Sequence, residues 1–367
     1  MFERCRKLAI FGFFFNSTYH FYRRKSNPIY IVPDILEEIF LRFPSKPILK
    51  FKTVSKQWRT ILESKMFVAR RMNVKQNRKI LAAHNCSCGY KPSLLLESQF
   101  EGDEEIIYMH FDATRPMLSC NGLLCFREPD CITVLNPSTG QNLRFPSGQE
   151  PVSSRFRNRS DMVMGFGRDR VTGSYKVVKV FVESMFGDCD VHDVESGEWK
   201  KLRRPHYVTR LGRQSVCVNG SIYWLFSAPD TLVTRETKIV NLENRLAIAK
   251  ITVYGVECIL EICSMNAEEE IWSNTYAINL AGVPESKWSM FTPLAVSNQG
   301  NLVLYNDRKS LFKYYPQTYE LRCLSSDSCV HVISPYLENL APLRSKSAHH
   351  PGYLDADCFR KGSHSGS

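Results

Sequence analysis

No apolar run in this chain comes near the ~20 residues that a helix needs to span a bilayer. Leu8 to Phe15, in a basic N-terminal stretch, offers eight. That stretch has no small-residue cleavage site behind it, and Glu3 and Asn16 interrupt the pattern of a secretion signal. Regular cysteine spacing is missing too. The thirteen cysteines are odd in number, and Cys120, Cys125, Cys217, Cys258 and Cys263 lie in apolar stretches. Buried free thiols in a reducing compartment are therefore expected, not a disulfide framework. Gly165-Phe166-Gly167 has no third glycine and no helical pattern after it, which excludes a dinucleotide fingerprint. His84, Cys86 and Cys88 supply too few ligands for a tetrahedral zinc site. Asp169, Asp193 and His192 make no catalytic pattern, and His192 is expected in a solvated hairpin turn. No metal, no cofactor and no intrinsic enzyme activity are expected.

What is present is a globular balance of apolar and charged residues, long enough for a small domain and a larger one. Charge is uneven. Residues 1–80 hold eighteen Lys and Arg against five Asp and Glu, a surplus of thirteen, while the whole chain carries +11, so the remainder sums to −2. A one-ended basic excess suits nucleic acid, an anionic membrane or an acidic protein. No zinc finger, recognition helix or aromatic RNA-binding signature accompanies it, so nucleic acid is not expected. Residues 1–27 read as a disordered or loosely attached leader. A membrane-surface or organelle-directing segment and a true signal are the other readings of the same pattern.

Between Val32 and Leu62 the pattern is helical. Leu36, Ile39, Phe40 and Phe43 recur at three- and four-residue spacing, Glu37 and Glu38 lie in the first turns, and Pro44 forbids continuation. Ile48, Leu49, Phe51, Val54, Trp58, Ile61 and Leu62 add more apolar surface than about 35 residues can bury among themselves. Some of it must face a partner. Val32-Pro33, Arg42-Phe43-Pro44, Lys46, Ile48-Leu49 and Val54-Ser55-Lys56-Gln57-Trp58 resemble the F-box pattern in order and spacing. One slot differs: Asp34 follows Pro33 directly, and Ile35 stands where the family has its Asp.

From about residue 104 the pattern changes to short β-rich runs. They are Ile106 to Phe111, Leu123 to Phe126, Ile132 to Leu135, Tyr175 to Val182, Ser221 to Phe226, Leu246 to Val253 and Leu302 to Tyr305. Asn121-Gly122, Asn219-Gly220 and Gln299-Gly300 supply turn chemistry that favours tight hairpins. A second recurring unit is a strand, a polar turn and another strand, as at Asn136-Pro137-Ser138-Thr139-Gly140, Asp193 to Gly197 and Pro316 to Tyr319. Repeated strand–hairpin–strand units are how propeller blades read in sequence.

Cys120 to Cys125, Leu135 to Gly140, Gly165 to Val177, Val218 to Leu225, then Trp288 and Tyr336 to Leu340, resemble the F-box-associated domain. That domain is a kelch-like propeller module of plant F-box proteins. The two resemblances cover about Ile31 to Leu343. Phe226 to Val240 is shorter than the family's interval, so one blade is expected to be cut down and closure of the ring is left open.

The fold class expected is α+β and multidomain. A small N-terminal all-α F-box precedes an all-β propeller-like domain with one shortened blade. The divisions are a leader 1–27, F-box 28–72, connector 73–103, propeller-like domain 104–343 and disordered tail 344–367. The resemblance implies a substrate-recognition adaptor of an SCF-type ubiquitin ligase, in the nucleus, the cytoplasm or both. Its partners would be a Skp-type linker, through it a cullin, and an unknown protein substrate. The residues expected at the linker are Pro33, Leu36, Ile39, Phe40, Pro44, Leu49, Val54, Lys56 and Trp58. The alternatives are a protein-binding scaffold outside any ligase and a decaying, non-functional family copy.

Overall fold

A computed structural model describes residues 31–43, 45–73, 79–84, 105–110, 117–128, 131–147, 162–181, 188–203, 211–226, 237–255, 257–266, 270–283, 289–297, 299–308, 310–325, 330–345 and 352–353. The leader, Pro44, Trp288 and residues 227–236 lie outside them.

Among the described residues four short helices come first: α1 Pro33–Leu41, α2 Ser45–Phe51, α3 Lys56–Leu62 and α4 Lys65–Asn73. Pro33 fits the first turn of α1 because that turn has no use for its missing amide, and Asp34 follows at the positive helix end. Arg42 closes α1 with its amide on the Ile39 carbonyl, and the Phe43 amide takes the Phe40 carbonyl, both at 3.1 Å. Ser55 caps α3 by accepting from the Trp58 amide at 3.1 Å, and Ser64 does the same for Phe67 of α4 at 3.1 Å.

Among the described residues all later elements are strands. Four sheets have four antiparallel strands in a meander: β3 (Met117–Cys120) to β6 (Gln141–Pro146), β7 (Met162–Arg168) to β10 (Trp199–Arg203), β13 (Thr237–Leu242) to β16 (Trp272–Asn279) and β17 (Phe291–Val296) to β20 (Glu320–Ser325). The first of them gains a fifth strand, β22 (Gly352–Tyr353), on the outer edge of β6. That pairing places two residues of the expected disordered tail in a sheet, because β6 offers an unpaired strand edge. The seven runs read as strands overlie β2, β4, β5, β8, β12, β14 and β18.

Two of the three expected turns form for the expected reason, whereas at Gln299-Gly300 only the glycine has a positive φ, 84°, and the connection from Val296 to Leu302 is longer than a two-residue hairpin. Asn121 and Gly122 have φ of 48° and 78°, and Asn219 and Gly220 have 50° and 79°. Both pairs have the two positive φ values that a right-twisted two-residue hairpin requires. Between β13 and β14 the same geometry falls on Glu243 and Asn244, at 57° and 60°.

The interval that is short in sequence corresponds to a sheet of two strands among the described residues, β11 (Leu211–Val218) and β12 (Ser221–Phe226). The ring nevertheless closes. Strand β1 (Lys79–His84), inside the stretch read as a connector, pairs antiparallel with β21 (Val330–Tyr336), some 250 residues later, and parallel with β2 (Glu105–His110). Buried apolar clusters join neighbouring sheets. Val177 and Cys217 pack with Leu123 and Val134, Val218 with Ile239, Ile251 and Leu260 with Phe291 and Leu304, and Ile80 with Leu294 and Val303. The last junction, from β21 to the first four-stranded sheet, is made by Tyr336 at the end of β21, 2.6 Å from the Ser138 hydroxyl, and by the chain segment after it, through hydrogen bonds of Asn339 and the burial of Leu343.

Candidate protein-interaction site

The helices of the F-box bury one side of each. Leu36, Phe40 and Leu41 of α1 pack with Ile48, Leu62 and Phe67. Trp58 stands edge-on to Phe40 at 5.0 Å and to Phe51 at 5.6 Å, and Phe43 stands edge-on to Phe51 at 5.2 Å. Arg70 ties α4 to α1 through Glu37 at 2.7 Å and through Glu38.

The other side of α1 is apolar and uncovered. Ile35 is 56% exposed and Ile39 36%, and with Val32 at 43% they continue one stripe at spacings of three and four. Ile31, Val54 and Met66 are exposed as well, so six of the twelve large apolar residues exposed in the described part of the chain fall in residues 31–66. Concentration in so short a stretch, not simple exposure, is what marks an interaction surface.

The residues expected at the linker divide accordingly. Pro33, Ile39, Val54 and Lys56 are exposed, and Leu49 and Trp58 are partly buried against the helical core. Leu36 and Phe40, at 5% and 1% exposure, face inward, so their part is to hold the helices together. Pro44 lies outside the described residues. Ile35, exposed on the same stripe, is not among the expected residues because it occupies the family's Asp slot. Its spacing to Ile39 was the available signal.

This small domain is fixed to the propeller by the strap that follows β21, residues 337–345. Leu340 is 1% exposed and belongs to the F-box core, whereas Leu343 belongs to a propeller cluster. Buried Arg71 of α4 donates to the Leu41 carbonyl at 2.9 Å and pairs with Glu338 at 3.6 Å. Asn339 is fully buried. Its side chain donates to the Asn121 carbonyl at 2.8 Å and the Tyr175 hydroxyl at 3.0 Å, and its amide donates to Ser138 at 2.9 Å. Asn136 donates to the carbonyls of Asn339 and Ala341, both at 3.0 Å. Gly122 is required beneath this strap: a Cβ there would collide with the Leu337 carbonyl.

The residues that could suggest catalysis have structural roles. Asp169 accepts from the Val171 amide and the Thr172 hydroxyl, both at 2.9 Å, and from Lys176 at 3.2 Å, which holds its carboxyl down at about 2. Asp193 likewise orders its turn through the amides of Glu195 and Ser196. His192 corrects the expectation of a solvated turn. It lies in β9 (Asp188–Asp193), 1% exposed, with its ring 4.2 Å from Phe145 and 4.6 Å from Trp199. Burial, outweighing the nearby Asp193, depresses its imidazole to about 4. Gly165 and Gly167 let β7 approach β12: a Cβ on Gly165 would lie 2.6 Å from Trp224 and one on Gly167 2.9 Å from Ile222. Among the described residues no group of three His, Cys, Asp or Glu could hold a metal ion, and no helix is long and apolar enough to cross a membrane.

Comparison with known proteins finds the same two parts. Residues 31–70 match the F-box domain and residues 72–243 the F-box associated beta propeller domain. The chain is 49% identical over 362 residues to an F-box/kelch-repeat protein of Arabidopsis thaliana, covering 89% of this chain and 87% of that protein. It is 51% identical over 364 residues to an F-box protein of the same plant, covering 89% and 88%. With an F-box/LRR-repeat protein, also from Arabidopsis thaliana, it shares 48% identity over 372 residues, covering 90% and 87%.

Proposed function

The chain belongs to the plant F-box proteins that carry an F-box-associated β-propeller domain, and on that premise we propose that it recruits a protein substrate to an SCF-type ubiquitin ligase. Proteins that pair these two domains are in general substrate-recognition subunits of such ligases. In this reading the F-box docks on a Skp-type linker, which connects to a cullin, and the propeller holds the target. The chain performs no chemistry of its own. It raises the effective concentration of the target at the ubiquitin-charged enzyme. Its place of action is the nucleus, the cytoplasm or both.

The observation that carries this reading is the bare stripe Val32, Ile35 and Ile39 on a helix whose opposite face is already filled by the F-box core. Burying each such side chain contributes about 1.5–3 kcal/mol, enough for three of them to anchor a partner helix or groove. The strap supplies the second requirement of proximity catalysis, a fixed orientation between the two binding faces.

The test is capture of a Skp-type linker by the full chain and by an Ile35→Asp/Ile39→Asp variant. Both positions are on the surface, so the variant is expected to melt with the parent protein while losing capture, since each substitution places an unpaired charge in a desolvated contact. Undiminished capture by the variant would overturn the assignment of the face. A well-folded parent chain that captures no linker would favour a scaffold acting outside any ligase.

A further inference from the structure

Each four-stranded sheet ends in an outer strand, and three of the four outer edges are guarded. β6 is covered by β22, whose Gly352 and Tyr353 pair with Asn142 and Gln141. β10 carries Lys200, Lys201 and Arg203, and β20 carries Glu320 and Arg322, ion-paired at 2.8 Å. Charges of this kind, lysine above all, keep an open edge from pairing with another chain. β16 has no charged residue and no proline, and among the described residues no strand lies on its outer side. All of its residues except Tyr276 and Ile278 are exposed. Ile271 and Trp272, at 59% and 42% exposure, put apolar surface at its start. A bulge against β15 (Glu257–Met265) leaves Thr275 unpaired, and residues 276–279 beyond it form a regular run. β12 is uncharged too, but its residues 222–225 are half-buried.

Charge selects what fits on the β16 edge. Residues 257–283, which hold β15, β16 and the turn between them, contain five glutamates and no Lys or Arg, a charge of −5 in a chain of +11. Glu268, Glu269 and Glu270 directly precede Ile271. Glu257 and Glu270 are exposed, and Glu261 accepts from the Thr252 hydroxyl at 2.8 Å. Lys250 of β14 lies opposite Glu261, two strands in from the edge. A second copy of this edge would bring like charges together, which opposes pairing with itself. β22 shows that the outer edge of a blade takes an extended segment from outside the blade.

We infer that the outer edge of β16 adds a strand from the protein target, an extended basic segment in which Lys or Arg alternates with β-branched or aromatic residues. The proposed role of the propeller in holding a target names the partner, while the edge itself stands on its geometry. Main-chain hydrogen bonds to the outward amides and carbonyls of β16 give the segment its affinity, and alternate side chains give it specificity. Apolar residues of the segment lie beside Ile271 and Trp272, and its basic residues answer the glutamates that precede them.

The experiment selects from a displayed library of random peptides on the full-length chain, then locates the enriched peptides by hydrogen exchange. The expected peptides are basic, lack proline in the paired run and slow exchange of the outward amides of residues 271–279. An Asn274→Lys/Ala277→Lys variant changes two exposed positions and is expected to melt with the parent. It should bind those peptides roughly tenfold more weakly, because like charges then meet across the added pair. Peptides without a basic bias, peptides that protect other residues, or no enrichment at all overturn the proposal without recourse to a variant. So does protection of every amide of residues 272–279 in the free chain: if it grows with concentration a second copy covers the edge, and if it does not, a segment of the same chain does. Capture of a Skp-type linker is read in parallel. A chain that captures the linker but leaves the β16 amides unprotected refutes this site alone, whereas a protected edge without linker capture refutes the ligase reading alone.

Discussion

Replacing Leu340 with alanine isolates the joint between the two domains. The side chain is 1% exposed and packs with Leu36, Phe40, Leu41, Ile48, Leu62 and Phe67, although it lies some 270 residues beyond the last of them. The polar anchors of the strap at Asn339 and Asn136 do not involve this side chain, so the substitution empties the F-box core and leaves the propeller junction intact. A buried Leu→Ala change costs about 2–5 kcal/mol, part lost transfer energy and part residual cavity. The F-box, matched over residues 31–70, is of a size that is marginally stable by itself. With about 4–8 °C per kcal/mol for small domains, a loss of about 3 kcal/mol lowers the melting of the helical part by on the order of 10–20 °C. Scanning calorimetry of the full chain with limited proteolysis reads this out. The expected result is early cleavage within residues 45–73 and weakened linker capture that returns on cooling. Leu343→Ala, three residues on, should lower the propeller transition instead, since Leu343 packs with Leu123, Val134 and Phe166. If Leu340→Ala changes neither melting nor cleavage in the helices, the strap does not complete the F-box core and the reasoning fails.

Two further outcomes concern a buried histidine and two turn glycines. His192 is held at about 4 against 6.5 for a histidine in the unfolded chain, so between those values the unfolded state binds a proton that the folded state refuses. Its stability contribution is intact above 6.5 and is lost as pH falls toward 4, in total about 3 kcal/mol; His192→Phe should flatten the pH dependence over that window in urea melts, and equal slopes would refute it. Gly140→Ala should cost about 1 kcal/mol, the backbone strain of φ +73° with open space around the new methyl, whereas Gly122→Ala adds a collision with Leu337 and should cost several-fold more. Thermal melts of the two variants compare them directly, and similar losses would mean that the strap does not lie on Gly122.

Sequence alone determined the elements whose causes are local. The spacing of Leu36, Ile39 and Phe40, the stop before Pro44 and the Asn-Gly dipeptides set helix and hairpin positions through forces acting within a few residues. The ordered motifs then gave the family and both domains. Sequence could not say which face of α1 is inside. Leu36 and Phe40 differ from Ile35 and Ile39 only by rotation about one axis, and what fills the inner face is partly Leu340 from the far end of the chain. Nor could it place His192 in the interior, since that depends on Phe145 of one sheet meeting Trp199 of the next. Local pattern also left β1 as a connector, because its partner β21 is about 250 residues away and strand pairing at that separation leaves no short-range periodicity to read. Tertiary structure decided those questions. They turn on contacts between residues distant in the chain, and only the closed ring and its strap bring those residues together.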